Sequence, residues 1–160
     1  MTNLNDLLKH LLDSKIDFVI IGGFAGVIYG ANQVTQDLDI ALSLNKNQIS
    51  QLREILKDLN PIHRMNPNFQ PSFLEYPENL DDINNIYLET DWGILDILSE
   101  VPYIGDFERV NRDAQEVEIF NHKCKIISLD DLIEVKKRSG RAKDIALYHE
   151  LLEIKKSNSN

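Results

Sequence analysis

The stretch from Asp17 to Gly30 constrains this chain more than any other. Asp17-Phe18-Val19-Ile20-Ile21 is a short apolar, β-branched run that ends at Gly22-Gly23. It reads as a buried strand. Phe24 to Tyr29 then has helical character and stops at Gly30, a suitable C-cap. A buried strand leading straight into a helix calls for a sheet with helices packed on it. Glycines at that turn let a phosphate or sugar approach the backbone, and the start of the helix favours an anion. The plain alternative is a tight strand-to-helix turn with no ligand. Known nucleotide motifs do not fit: Gly23 and Gly26 are only a fragment of G-x-G-x-x-G, and no Gly-Lys-Ser/Thr follows.

The remaining elements support the same architecture. Leu4, Leu7, Leu8, Leu11 and Leu12 predict an amphipathic helix over Asn3 to Lys15. Thr35 to Ser43 alternates, with Leu38, Ile40 and Leu42 on one face and Asp37, Asp39, Ala41 and Ser43 on the other, which predicts a strand. Lys46 to Leu59 predicts a second amphipathic helix. Four of the five prolines fall between Pro61 and Pro77, and that stretch reads as an irregular surface loop. Ile86 to Glu89 and Ile94 to Ser99 predict two strands joined at Asp91-Trp92-Gly93. Val117 to Phe120 and Cys124 to Ile127 predict a hairpin turning at Asn121-His122. Ser128-Leu129-Asp130-Asp131 resembles a capping box, opening a helix that runs to Ser139-Gly140. A last helix is expected from Arg141 to about Lys155. The sequence predicts one α/β or α+β domain over 1–156, a mixed sheet with C-terminal helices, and a frayed polar tail over 157–160.

Three acidic residues carry the chemical interest. Asp37 and Asp39 share one face of a strand, roughly 6.6 Å apart at ~3.3 Å per residue. Such a pair can clasp hard cations, and paired metals of phosphoryl-transfer sites lie about 3.5–4 Å apart between carboxylates. A solvent-facing acidic strand is the alternative. Asp96 sits in Ile94-Leu95-Asp96-Ile97-Leu98, apolar on both faces, as in a central covered strand. An unpaired carboxylate there costs several kcal/mol, on the order expected for a buried charge. Its partner is an arginine, a backbone donor or a metal, and a structural salt bridge competes with the metal. If the two strands are neighbours, Asp37, Asp39 and Asp96 converge.

A basic cluster follows. Lys136, Lys137, Arg138, Arg141 and Lys143 place five of the 17 Lys and Arg residues within eight positions. Cations near a helix C-terminus are ordinary dipole partners; in an acidic chain they also suit a triphosphate tail. Asp144 is expected to pair with one of them. His10, His63, His122 and His149 show no metal spacing. Trp92, beside a turn, is expected to pack rather than stack on a base.

Composition removes several classes. With 17 Lys and Arg against 26 Asp and Glu, the net charge is -9, which argues against tight, sequence-independent binding of DNA or RNA. The single cysteine, Cys124, excludes an internal disulfide and any multi-cysteine metal site. No apolar run approaches the ~20 residues of a membrane span. The opening residues lack the basic region of a signal peptide, so a cytoplasmic protein is expected.

Taken in order, Gly22-Gly23, then Thr35-x-Asp37-Leu38-Asp39-Ile40, then Asp96 on a later strand resembles the nucleotidyltransferase superfamily with the polymerase-beta-like palm. Ile20-Ile21-Gly22-Gly23-Phe24-Ala25, Tyr29-Gly30, and Leu129-x-x-Leu132-Ile133 leading to Lys136 and Gly140-Arg141-x-Lys143-Asp144 are similar to small bacterial and archaeal members, near the abortive-infection toxin nucleotidyltransferases. The resemblance implies the nucleotidyltransferase-like mixed sheet flanked by helices. It implies an enzyme that moves a nucleoside monophosphate from a nucleoside triphosphate such as ATP to an acceptor hydroxyl on tRNA, protein or a small molecule, with pyrophosphate leaving. Gly22 and Gly23 would contact the triphosphate, with Thr35 beside them. Asp37 and Asp39 would bind two Mg²⁺ ions, and Asp96 would join the ion that activates the acceptor. Lys136, Arg141 and Lys143 match a basic motif suited to phosphate. Relatives commonly carry Arg two residues before the Thr, where this chain has Gln33. A non-catalytic nucleotide-binding or toxin–antitoxin partner module on the same fold is the alternative, and a second subunit or an antitoxin is a possible partner.

Overall fold

The computed structural model describes residues 3–159. Its elements are α1 (Leu4–Asp13), β1 (Val19–Ile21), α2 (Gly22–Tyr29), β2 (Asp37–Ala41), α3 (Lys46–Leu56), β3 (Ile62–His63), β4 (Asn85–Thr90), β5 (Gly93–Leu98), β6 (Glu100–Val101), β7 (Gly105–Asp106), α4 (Phe107–Arg112), β8 (Gln115–Ile119), β9 (His122–Ile126), α5 (Leu129–Ser139) and α6 (Ala142–Asn158).

Seven strands form one mixed sheet in the order β3-β4-β5-β2-β1-β9-β8. The β2–β5 and β1–β9 pairs are parallel and the others antiparallel. β6 and β7 make a separate small ladder. The middle strands are buried for the reason their sequences give: Leu38, Ile40, Leu95 and Ile97 are fully enclosed and alternate with the residues that face the site. α1 buries Leu4, Leu7, Leu8 and Leu11 and packs on β2, β5 and β9. α5 starts where the Ser128 hydroxyl accepts the Asp131 N–H at 3.1 Å and ends at Gly140, whose left-handed φ of 72° suits the missing side chain. α5 and α6 pack together, and both touch α2.

Some expectations need correction. The stretch between Pro61 and Pro77 is irregular and largely exposed, as expected, but it is tied to the sheet and to α3. Ile62–His63 pairs with β4, Phe73 is fully buried, and the Arg53 side chain donates to the carbonyls of Phe73 and Pro77, each at 2.7 Å. Two hydrogen bonds and one aromatic anchor fix the segment against α3 despite its irregular backbone. The β8–β9 hairpin turns at Phe120-Asn121, both with positive φ, one residue earlier than expected. β6, β7 and α4 have too few residues to show a period. α6 continues to Asn158, through the start of the expected frayed tail; Asn160 lies outside the described residues, as do Met1 and Thr2 of the opening segment. No helix among the described residues is long and apolar enough to cross a membrane.

Candidate active site

The parallel register of β2 and β5 sets Asp39 directly opposite Asp96, and Asp37 opposite Ile94. In-register residues on neighbouring strands share a face, and residues two apart share it too. Asp37, Asp39 and Asp96 therefore lie on one face of the sheet centre. The sequence suggested this convergence only on condition that the strands were neighbours, and they are. Asp96 is only 9% exposed, while Asp37 and Asp39 are half-buried.

The next strand holds the glycine pair. Ile21, the last residue of β1, is opposite Asp39, and the chain turns at Gly22 with φ +69° to begin α2. A Cβ built on Gly22 would overlap Asp39 Oδ2. Position 22 needs glycine twice, for its left-handed backbone and because the Asp39 carboxylate fills the space of a side chain. α2 has no side-chain cap and no acidic residue in its first turn, so its opening N–H groups and positive dipole end stay available to an anion. Gly23 is hemmed in by Gln33 and Thr35: a Cβ there would lie 3.1 Å from Gln33 Nε2 and 3.5 Å from Thr35 Oγ1. Gln33 Nε2 donates to the Gly23 carbonyl at 3.2 Å, and the Thr35 hydroxyl donates to the Asp37 carbonyl at 3.0 Å. These two side chains brace the approach to the Asp-x-Asp strand.

A cleft of about 250 Å³ opens between this turn and the C-terminal helices. Gly23, Thr35, Asp37 and Asp39 form one wall, and Lys136, Arg141 and Lys143 belong to the other. The expected basic group is thus brought to the acidic one, but two of its members are already committed. Lys136 Nζ lies 3.2 Å from Asp144 Oδ1, and Arg141 Nε lies 2.9 Å from Asp144 Oδ2. The Ser139 hydroxyl donates to Asp144 at 2.6 Å. Burial alone would raise the Asp144 pKa, but these donors outweigh it and hold the carboxyl below its usual range. Lys143 has no ion-pair partner among the described residues. A smaller, mostly apolar cavity of about 170 Å³ adjoins the cleft, lined by Gly22, Leu98, Val101, Leu132 and Val135 and sharing Asp39.

The carboxylates show the reverse balance. Burial first, then the charges of Asp96 and Asp37, push the Asp39 pKa up to about 7, against opposing pulls from Lys136 and Arg64. Burial likewise raises the Asp96 pKa, with Arg64 countering it. Arg64 was missed by the sequence reading. Its Nε and Nη2 reach the two oxygens of Asp96 at 3.2 and 2.7 Å, with the guanidinium carbon 5.8 Å from the Tyr87 ring centre. Asp96 in a doubly covered strand requires a partner, and arginine is among the options. One signal pointed to it: Arg64 is the only Lys or Arg between Lys57 and Arg109.

No three carboxylate, imidazole or thiol groups among the described residues are gathered tightly enough to enclose a metal. Magnesium does not require such a cage; it binds through one or two carboxylates and completes its shell with water and substrate phosphate. Asp37 and Asp39 fit that habit. They are oxygen donors on rigid strands, and the carboxylates crowded beside Asp39 favour a cation next to it. The four histidines stand apart: His10 meets the Ile55 carbonyl, His63 the Tyr76 carbonyl, and His122 pairs with Asp13. His149 packs beside Tyr148. Trp92 packs edge-on to His10.

No family model and no curated protein sequence matches this chain. Solved structures do. The lincosamide antibiotic adenylyltransferase LnuA, in its lincomycin-bound form, superposes with a TM-score of 0.58 at 19% identity, covering 94% of this chain and 93% of that one. ANT(2″)-Ia, in complex with adenylyl-2″-tobramycin, gives 0.57 at 13% identity over 92% of this chain and 84% of that one. TM1012 of Thermotoga maritima, a protein with a provisional nucleotidyltransferase assignment, gives 0.56 at 14% identity, covering 94% and 90%. The chain has the fold of these nucleotidyltransferases, with the mixed sheet and C-terminal helices expected from its sequence.

Proposed function

We propose that this chain is a nucleotidyltransferase, moving a nucleoside monophosphate from a nucleoside triphosphate to an acceptor hydroxyl. The observation that carries this reading is the in-register pairing of Asp39 with Asp96, Asp37 on the same face, beside the Gly22-Gly23 helix start. The triphosphate lies in the cleft, its phosphates meeting the first N–H groups of α2 and the ammonium of Lys143. Lys136 and Arg141, tied to Asp144, contribute positive potential more than direct bonds. Gln33, where relatives commonly have arginine, offers an amide instead of a charge and weakens the hold on phosphate. Asp37 and Asp39 would hold magnesium, which when bound acidifies the acceptor hydroxyl and neutralises charge on the leaving group. Asp96 faces the acceptor side of the pair. The acceptor oxygen forms a bond to the α-phosphorus, the bond to pyrophosphate breaks, and the hydroxyl proton passes to water.

For the acceptor we favour a small hydroxylated molecule over a large RNA. The structural neighbours include proteins holding lincomycin and an adenylylated tobramycin, and the net charge of -9 opposes a polyanion. One observation favours a second reading, a nucleotide-binding module that performs no transfer: both oxygens of Asp96 are taken by Arg64. Incubation with each α-phosphate-labelled triphosphate, magnesium and a panel of hydroxylated acceptors separates the two. Label transfer with release of pyrophosphate, lost in Asp39→Asn, supports the enzyme. Calorimetric binding of triphosphate without release across the panel supports the module.

A further inference from the structure

Asp96 is a buried carboxylate with one cationic partner, and that partner arrives from the edge of the sheet. Arg64 directly follows β3, and its N–H donates to the Tyr87 carbonyl at 3.1 Å. Tyr87 is opposite Asp96 in the β4–β5 ladder, and Asp96 is opposite Asp39 in the β5–β2 ladder. One row of residues thus runs from Arg64 through Tyr87 and Asp96 to Asp39. Along it the guanidinium passes the Tyr87 ring and covers both oxygens of Asp96.

This bidentate cover has a chemical consequence. A forked guanidinium satisfies the carboxylate lone pairs that a hard cation would otherwise use. It also sets a fixed positive charge beside the Asp37–Asp39 pair. Resting on the reading above, we propose that Arg64 and a divalent cation compete for Asp96. Arg64 caps the carboxylate while the site lacks metal and withdraws toward Tyr87 when a cation engages Asp96. The side chain has room for this: it is 26% exposed, against 12% for the Asp96 side chain. Its backbone stays anchored through β4 while the guanidinium moves. Arg64 acts here as a positioning residue that controls when the third carboxylate becomes a ligand.

Manganese titration of the full chain without nucleotide tests this, with free Mn²⁺ followed by electron paramagnetic resonance. Arg64→Gln is expected to bind Mn²⁺ about tenfold more tightly than the parent, because Asp96 becomes free to act as a ligand and one nearby positive charge is removed. In an Asp96→Asn background the same substitution is expected to give a much smaller gain, that of the Arg64 charge acting on Asp39 through space. A gain of undiminished size in Asp96→Asn shows that the guanidinium acts only through space and overturns the competition. Unchanged or weaker binding in Arg64→Gln overturns it as well. Arg64→Lys retains the charge but cannot cover both oxygens; it covers the case where Arg64→Gln does not fold, and absence of any gain there also overturns the inference. Mn²⁺ binding that is abolished by Asp39→Asn but indifferent to Arg64 defeats only this inference. Absence of binding in every variant defeats the carboxylate reading of the site with it.

Discussion

One buried aspartate lines the cleft and another lies opposite Asp39 of its wall, and the two are treated in opposite ways. Asp144, 3% exposed, receives Lys136, Arg141 and Ser139, and its pKa is held down. Asp96, 9% exposed, has Arg64 as its cationic partner and looks across at two more carboxylates, and burial raises its pKa. The first is a finished arrangement that joins α5 to α6. The second carries more negative charge than its one partner offsets, which is how a site selects for an additional cation. Burial alone therefore does not separate a structural acid from a chemical one; the ratio of donors to carboxylates does.

The largest expected effect tests the finished side. Asp144→Ala strands the buried ammonium of Lys136, and about 3–5 kcal/mol of stability should go, as when one member of a buried pair is removed. Urea unfolding measures it, and a loss under ~1 kcal/mol breaks the contrast. Gly22→Ala comes next. It drives a methyl group into Asp39 and puts a side chain at a positive φ, so roughly 2–3 kcal/mol of stability should be lost together with transfer.

Asp39→Asn tests the unfinished side and should have the opposite sign. The folded pKa of about 7 lies above the ordinary 3.8. The native state therefore holds this proton more tightly than the unfolded chain does. The stabilisation is complete below about pH 4 and disappears as pH rises through 7. At pH 8 without metal, Asp39→Asn should be more stable than the parent by on the order of 1–2 kcal/mol, discounted for the partial exposure of this group. At pH 4 the two should match. Unfolding curves at the two pH values check this, and a destabilised variant at pH 8 removes the claim of excess charge. Lys143→Ala should have the smallest effect. Its fold should be unaltered, and the KM for triphosphate should rise several-fold with kcat nearly constant.

Legibility in the sequence divided along similar lines. The β1–α2–β2 unit was readable because an apolar run, two glycines and a period-two strand each leave a local mark. The strand around Asp96 was readable for the same reason. What local pattern cannot state is adjacency: β3 and β4 lie between β2 and β5 in the chain, yet β2 and β5 are neighbours in the sheet. The carboxylate convergence could be framed only as a condition. Arg64 was hidden because a two-residue strand has no period, and because a proline-rich stretch suggests freedom that Phe73 and the Arg53 hydrogen bonds remove. The basic run from Lys136 to Lys143 was visible as charge. Which of its cleft-lining members, Lys136, Arg141 and Lys143, are neutralised depends on where Asp144 falls in space.

The empty place at Gly22 is in effect occupied by its neighbour across the ladder. Residues 22 and 39 consequently vary as one unit: a larger group at the first is tolerable only with a smaller one at the second. In a library randomised at both, functional survivors should keep the original pair, while variants selected for folding alone should keep glycine at 22, as its positive φ requires, and lose the charge at 39.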